Sequence, residues 1–162
     1  MIIHVKNKNT LIIGDFNFKC CIGKKGLKFN KKEGDDSTPK GFFKLKTLYF
    51  RKDRLGVPKC KIKKKIITKN MAWCDDPKNK KYNEEIKIFN KSNRENFYRK
   101  DQNYDYLITT NHNDRKIPYK GSAIFIHLTK NYKPTAGCIA LKKKDFEIML
   151  KIIDEKTIIK IG

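Results

Sequence analysis

A histidine and a cysteine stand eleven positions apart in the stretch HLTKNYKPTAGCIAL, which runs from His127 to Leu141. A thiol becomes a strong nucleophile at neutral pH when a base takes its proton, and an imidazole returned to its side by a loop can be that base. Gly137 precedes Cys138 and lets the backbone aim amide groups at one point, as an oxyanion hole requires. With three His and five Cys in the chain, such a spacing also arises by chance, and an ordinary loop is the alternative interpretation.

Short runs of β-branched and aromatic residues predict the strands that would position this pair. Between residues 2 and 22, the runs IIHV, TLII and FNFKCCI are separated by turn-forming residues, which is typical of a β meander. KTLYF, YDYLIT and SAIFIHL predict further strands. In SAIFIHL, the alternation of side chains places His127 at the far end of the strand, on the face opposite Ile126 and able to look into a groove.

One helix is predicted to begin near Lys142 and to pack on the sheet, with Asp145 in or near its first turn. Its buried face is formed by residues at i, i+3, i+4 and i+7, namely Phe146, Met149, Leu150 and Ile153. KTIIKIG predicts a last strand, whereas residues 51 to 103 read as long irregular loops. The 162 residues suit one domain, 1–162, in a mainly β fold with one C-terminal helix.

The charge balance leaves a second class of function open. Thirty-nine Lys and Arg against seventeen Asp and Glu give a formal net charge of +22, so polyanions are plausible partners. A composition rich in Lys, Asn and Ile produces the same charge without a dedicated binding face. A basic β-rich module that binds nucleic acid, with lysines on phosphates and aromatic rings for stacking, is therefore the rival to an enzyme.

The cysteines and apolar segments exclude several other classes. The five cysteines contain no C-x-x-C pair, so the sequence predicts neither a disulfide framework nor a zinc site. No apolar stretch approaches the roughly eighteen residues of a membrane span. The amino terminus has no visible signal-peptide pattern.

The residues around Cys138 resemble those of the L,D-transpeptidase catalytic domain family (YkuD-like), in particular a small single-domain branch. The family signature is filled here by His127, Thr135, Gly137, Cys138, Ile139, Leu141 and Asp145. A second family element, a Gly-Asp turn followed by Thr-Pro-x-Gly and an aromatic residue, matches EGDDSTPKGFF from Glu33 to Phe43. The stretches WCDDP, YN, YRKDQNYD, HND and GSAIF continue the resemblance in the same order, from about residue 20 to 150.

The resemblance implies a β-sandwich or barrel in which Cys138 is the nucleophile and His127 its general base, with Thr135, Ala136 and Gly137 forming the oxyanion loop. The thiolate would attack the bond after the L-centre of diaminopimelate in a peptidoglycan stem tetrapeptide and release D-alanine. An amine would then resolve the acyl-enzyme to give a cross-link, or water would resolve it to give carboxypeptidase activity. Such an enzyme needs no metal or organic cofactor.

The same resemblance sets the expected partners and location. The expected partners are peptidoglycan stem peptides rather than nucleic acid, and we expect a monomer. The bacterial envelope or periplasm is the implied location, while the lack of a visible signal peptide leaves the cytoplasm open.

The sequence departs from the family pattern at Ala140, where the family carries an arginine that could hold a substrate carboxylate. Arg99 or Arg115 are the candidates for the missing positive charge. The other candidate substrate contacts are His112, Trp73 and Tyr98. For each of them a structural role is the alternative, since HND and WCDDP are also ordinary turn sequences.

Overall fold

A computed structural model describes residues 1–88 and 94–162 of the chain. These residues form fourteen strands and two helices. In chain order they are β1 (Ile2–Lys6), β2 (Thr10–Ile13), β3 (Phe16–Cys21), β4 (Leu27–Lys28), β5 (Thr38–Pro39), β6 (Gly41–Phe50), α1 (Lys52–Leu55), β7 (Lys63–Ile66), β8 (Met71–Cys74), β9 (Glu85–Lys87), β10 (Arg94–Asn96), β11 (Tyr106–Thr110), β12 (Phe125–Leu128), β13 (Ile139–Leu141), α2 (Lys143–Ile152) and β14 (Ile158–Ile161).

Nine strands form one sheet in the order β11-β12-β13-β3-β2-β1-β14-β6-β7. The long strand β6 pairs with β14 over its first half and with β11 over its second half. Because β11 lies at the start of the strand order, this second pairing closes the sheet on itself. The predicted mainly β fold is confirmed, and it takes a barrel-like form.

The predicted meander is present as β1, β2 and β3, which pair antiparallel in sequence. Alternate residues of these strands point into the closed sheet, as the complete burial of Ile3, Val5, Leu11 and Ile13 shows. A second apolar cluster lies outside this main core, around the fully buried ring of Phe97, and it packs beneath β12. The strand β12 is therefore held by apolar contacts on both faces.

Helix α2 covers the main core with the face that the sequence predicts. Phe146, Met149 and Leu150 are buried, and the Phe146 ring stacks on Tyr106 with 5.5 Å between the ring centroids. Asp145 lies in the first turn, where its negative charge meets the positive end of the helix dipole. Neither this helix nor α1 is long and apolar enough to span a membrane, considering the described residues.

The prediction of irregular loops from 51 to 103 includes residues 89–93, which lie outside the described residues; 51–88 and 94–103 are more regular than their sequence indicates. They contain α1, the strand β7 and a separate sheet in the order β10-β8-β9. All four of these strands have only three or four residues, too short to display a period-two pattern. The strand predicted from Ser122 also begins later, at Phe125, since Ala123 has a positive φ of 52°.

Truncation of Phe146 tests the packing of α2 on the sheet. We expect Phe146→Ala to lower the free energy of unfolding by about 3 to 5 kcal/mol, because it removes a fully buried ring and leaves a cavity. The matched variant Phe42→Ala removes a ring that is 64% exposed, and we expect a loss below about 1 kcal/mol. Urea unfolding monitored by circular dichroism measures both, and similar losses in the two variants would contradict the assigned core.

Candidate active site

The parallel pairing of β12 with β13 aligns the strand that carries His127 with the strand that follows Cys138. In this register His127 lies opposite Ala140. Cys138 precedes Ala140 by two positions, so both side chains point to the same face, which is also the face of His127. The predicted pair therefore shares one face, with His127 in β12 and Cys138 immediately before β13, offset diagonally by two residues.

The turn that precedes the cysteine is fixed by Thr135. Its hydroxyl donates to the carbonyl of Cys138 at 2.6 Å and accepts from the amide of Gly137 at 3.1 Å. Its own amide and carbonyl bond to Ile22 and Lys24. Because the Gly137 amide already has this partner, it is not available to an oxyanion in this conformation.

Gly137 is required by its backbone and by its surroundings. Its φ is 148°, and a Cβ atom at this position would lie 2.8 Å from the carbonyl oxygen of Ser37. The Thr38 hydroxyl donates to the Gly137 carbonyl at 2.8 Å. The STPKG segment, which the sequence presents as a separate motif, thus packs directly against the cysteine loop.

That segment is itself anchored by Asp35. Its carboxylate accepts from the ammonium of Lys31 at 2.8 Å, from the Ser37 hydroxyl at 2.7 Å and from the amide of Lys32 at 2.9 Å. Burial opposes the charge, but these hydrogen bonds outweigh it and hold the pKa of Asp35 well below its usual range. Asp35 therefore stays ionised and ties the ends of its turn together.

The thiol of Cys138 lies against the backbone at the start of β12 and just before it. Sγ donates to the carbonyl of Ala123 at 3.1 Å and accepts from the amide of Phe125 at 3.4 Å. Burial raises the pKa of the thiol to about 12, and the Phe125 amide offsets this only in part. At neutral pH the sulfur is therefore protonated.

His127 is buried, with 7% of its surface exposed. Its Nδ1 lies 2.9 Å from the carbonyl of Leu128, which can only accept, so Nδ1 carries the proton and Nε2 is the unprotonated nitrogen. Burial lowers the pKa of His127 to about 4, although the hydrogen bond to Leu128 opposes the shift. The imidazole is therefore neutral at pH 7 and able to accept a proton at Nε2.

Two cavities flank the pair and share Ala136 as a common wall. The first, the His127 cavity, has a volume of about 390 Å³ and is lined by His127, Ala140, Tyr104, Thr135 and the charged side chains Arg99, Asp101, Lys130 and Lys133. The second, the Cys138 cavity, has a volume of about 230 Å³ and is lined by Cys138, Ala123, Ile124, Ser122 and the charged side chains Lys31, Glu33, Asp75 and Glu95. Most charged side chains of the His127 cavity are therefore basic, whereas most of those in the Cys138 cavity are acidic.

Arg99 lies in the cavity that Ala140 also lines. Its guanidinium bonds to the carboxylate of Asp101 at 2.7 Å and lies over the ring of Tyr104, 4.8 Å from the centroid. A cation is therefore present beside the position where the family carries its arginine. Arg115, the other candidate, is exposed and lines neither cavity.

Three predicted substrate contacts, His112, Trp73 and Tyr98, lie outside both cavities. His112 Nε2 lies 3.2 Å from the carbonyl of Lys120 and so closes a loop. The Trp73 indole packs in the second apolar cluster, and the guanidinium of Arg51 lies 3.6 Å from the centroid of the Tyr98 ring. Their placement favours the structural alternative for all three.

Tyr104, which the sequence reading assigns to either a lid or a packed surface, lines the His127 cavity and bonds to a residue of the Cys138 cavity. Its buried ring lies 5.1 Å from the His127 ring, and its hydroxyl donates to the Glu95 carboxylate at 3.1 Å. Glu33 and Glu95 are also new to the site. Glu33 begins the EGDDSTPKGFF element of the resemblance, but no spacing in the sequence relates Glu95 to Cys138.

The chain belongs to the L,D-transpeptidase catalytic domain family. The model of this family (YkuD) matches residues 2–161. Among solved structures, Bdellovibrio bacteriovorus Bd1075 is similar at 15% sequence identity and a TM-score of 0.48. The similarity covers 99% of this chain and 47% of the other, so this chain spans about half the length of that protein. A search of curated proteins finds no match.

Substitution of Gly137 tests the close approach of the cysteine loop to Ser37. We expect Gly137→Ala to lower the free energy of unfolding by more than about 2 kcal/mol, because the methyl group clashes and the backbone angle is unfavourable for alanine. At Gly14, φ is also positive but space is open, so Gly14→Ala should lose only about 1 to 2 kcal/mol. Equal losses in urea unfolding would show that contact with Ser37 is unimportant.

The pKa of His127 predicts how stability depends on pH. Between about pH 6.5 and 4, the unfolded chain binds a proton at this histidine that the folded chain does not, so stability falls as the pH falls. We expect the wild type to lose up to about 3 kcal/mol more than His127→Gln across this range. Urea unfolding of both proteins at several pH values measures the difference, and parallel curves would show that the buried imidazole is not neutral.

Proposed function

We propose that this protein is a cysteine L,D-transpeptidase that acts on peptidoglycan stem tetrapeptides, with Cys138 as nucleophile and His127 as general base. The observation that carries the proposal is the common face of the two side chains, with an unprotonated Nε2 on one and a cavity beside each. Membership of the family supports the reaction class. The proposed chemistry requires no metal or organic cofactor.

The proposed reaction begins with transfer of the thiol proton to Nε2 of His127. The thiol proton now points to the carbonyl of Ala123, so this step requires a rotation of the Cys138 side chain toward the imidazole. The thiolate adds to the carbonyl carbon at the L-centre of the diaminopimelate residue. The resulting tetrahedral species expels the amine of D-alanine, which takes the proton from the imidazolium, and a thioester remains on Cys138.

The second half-reaction regenerates the enzyme. An amine of another stem, or a water molecule, gives a proton to Nε2 and attacks the thioester carbon. The sulfur then leaves and recovers its proton. An amine yields a cross-link and water yields a shortened stem, so the two outcomes share His127 and Cys138 and differ only in the acceptor that reaches the thioester.

The basic side chains of the His127 cavity support an orientation for the donor peptide. D-alanine carries a terminal carboxylate, and Arg99, Lys130 and Lys133 offer the cations to receive it. In this orientation the leaving amine of D-alanine lies beside the imidazole of His127, which must protonate it. Arg99 would then replace the arginine that is missing at Ala140.

The substrate sets the proposed location, which is the bacterial envelope or periplasm. A positive net charge suits an anionic wall polymer. The rival function of nucleic-acid binding accounts for the same charge, but it offers no reason for a cysteine and a histidine to share one face between two cavities.

Variants of the proposed pair test the nucleophile and the base. We expect Cys138→Ala and His127→Gln to reduce D-alanine release from a tetrapeptide at least about 1,000-fold, because each removes a group that the acyl transfer requires. Cys60→Ala removes a partly exposed thiol elsewhere and should leave the rate unchanged. A carbapenem should form a covalent adduct on Cys138, detected by mass spectrometry.

The outcomes separate the proposed enzyme from its rival. Full activity of Cys138→Ala would rule out this residue as the nucleophile. A protein that forms no adduct, releases no D-alanine and binds nucleic acid with an affinity that falls steeply with salt would support the rival instead.

A further inference from the structure

The Cys138 cavity contains three carboxylates that form no salt bridge among the described residues, in a chain with a net charge of +22. Glu33, Asp75 and Glu95 line this cavity, and within residues 1–88 and 94–162 none of them forms a salt bridge with a lysine or arginine. Lys31 also lines the cavity, but its ammonium is already paired with Asp35 at 2.8 Å. Acidic side chains therefore outnumber basic ones in this cavity.

Neutral groups hold two of these carboxylates in place. The Tyr82 hydroxyl donates to Glu33, and the Tyr104 hydroxyl donates to Glu95 at 3.1 Å. A phenol fixes the position of a carboxylate without neutralising it. Each carboxylate also keeps acceptor positions that its tyrosine does not fill.

Two buried polar atoms in the same cavity lack a partner in the part of the chain that the structure describes. They are Oδ1 of Asp75 and Oγ of Ser122, a side chain that is only 5% exposed. Ser122 lies next to the Tyr82 hydroxyl and acts to lower its pKa, against the larger upward shift caused by burial. Both atoms can therefore accept a hydrogen bond from a group that binds in the cavity.

The charge state of Asp75 agrees with this interpretation. Burial raises the pKa of Asp75 to about 6, and repulsion from Glu95 and Glu33 adds to the shift. A bound cation would relieve this repulsion and favour the ionised form. Carboxylate and hydroxyl oxygens accept hydrogen bonds, and a primary ammonium group has three to donate.

We propose that the Cys138 cavity binds a primary ammonium group of the substrate through Glu33, Asp75, Glu95 and the Ser122 hydroxyl. The inference rests on the proposed function, because Cys138 lines the cavity and the bound group would therefore lie next to the reacting carbonyl. Carboxylates stabilise the charged form of an amine, whereas an attacking amine must be neutral. The ammonium is therefore expected on the donor peptide, as a group that is recognised and does not react.

A first experiment tests the ammonium preference without using the enzyme's reaction. Cys138 is modified with 2-aminoethyl methanethiosulfonate and, separately, with the anionic 2-sulfonatoethyl reagent. In each case the thiolate forms a mixed disulfide and methanesulfinate leaves. We expect the ratio of the two rates, normalised to free cysteine, to favour the cationic reagent, and to fall by roughly threefold or more in Glu33→Gln and in Asp75→Asn.

The control is Asp114→Asn, which removes an exposed carboxylate that pairs with Lys46 outside the cavity. Its ratio should equal that of the wild type, and matching unfolding midpoints would show that all variants are folded. Mass spectrometry of the peptide that contains Cys138 measures the modification. A wild-type ratio equal to that of free cysteine, or a ratio unchanged in both cavity variants, would overturn the proposal.

A second experiment identifies the source of the ammonium, by measuring D-alanine release from a tetrapeptide with a free or an acetylated side-chain amine. We expect acetylation to lower kcat/KM about tenfold or more for the wild type and much less for Asp75→Asn. If acetylation has no effect but Asp75→Asn shifts products from cross-link to hydrolysis, the ammonium belongs to the acceptor. If neither changes, the ammonium site is wrong, while D-alanine release by the wild type would still support the proposed function.

Discussion

The parallel pairing of β12 with β13 is the constraint on which the rest of the site depends. This pairing fixes Cys138 and His127 on one face without requiring any contact between their side chains. A shift of one residue in the register would turn one of them to the opposite face, because the side chains of a strand alternate. The apolar residues on both sides of β12 hold this register, since Ile126 and Leu128 belong to the main core and Phe125 to the second cluster.

The cysteine loop is held from a different part of the chain. Thr38 and the carbonyl of Ser37 contact Gly137, and Asp35 holds the segment that carries them. Two stretches of sequence about a hundred residues apart therefore form one rigid turn. The pairing of β12 with β13 sets the face to which the two side chains point. This turn holds the backbone next to Cys138 in place.

The sequence was sufficient for the elements with a clear period and insufficient for contacts between distant segments. The meander, the buried face of α2 and the placement of His127 near a strand end follow from patterns within about ten residues. The small sheet of β8, β9 and β10 was missed because its strands are too short to show a period. The convergence of Glu33, Asp75 and Glu95 was also missed, since only the tertiary fold brings residues from three segments to one cavity.

Under the proposed mechanism, the protonation states of Cys138 and His127 keep the protein inert until it binds substrate. Burial keeps both the thiol and the imidazole neutral, so the thiolate that reacts with oxidants is scarce in the free protein. The thiol proton is held by the carbonyl of Ala123, whose residue has a positive φ and whose amide donates to Asn83. Under the proposed mechanism, substrate binding must draw Sγ of Cys138 away from this carbonyl. The free energy for this side-chain rotation comes from binding the charged groups of the substrate in the two cavities.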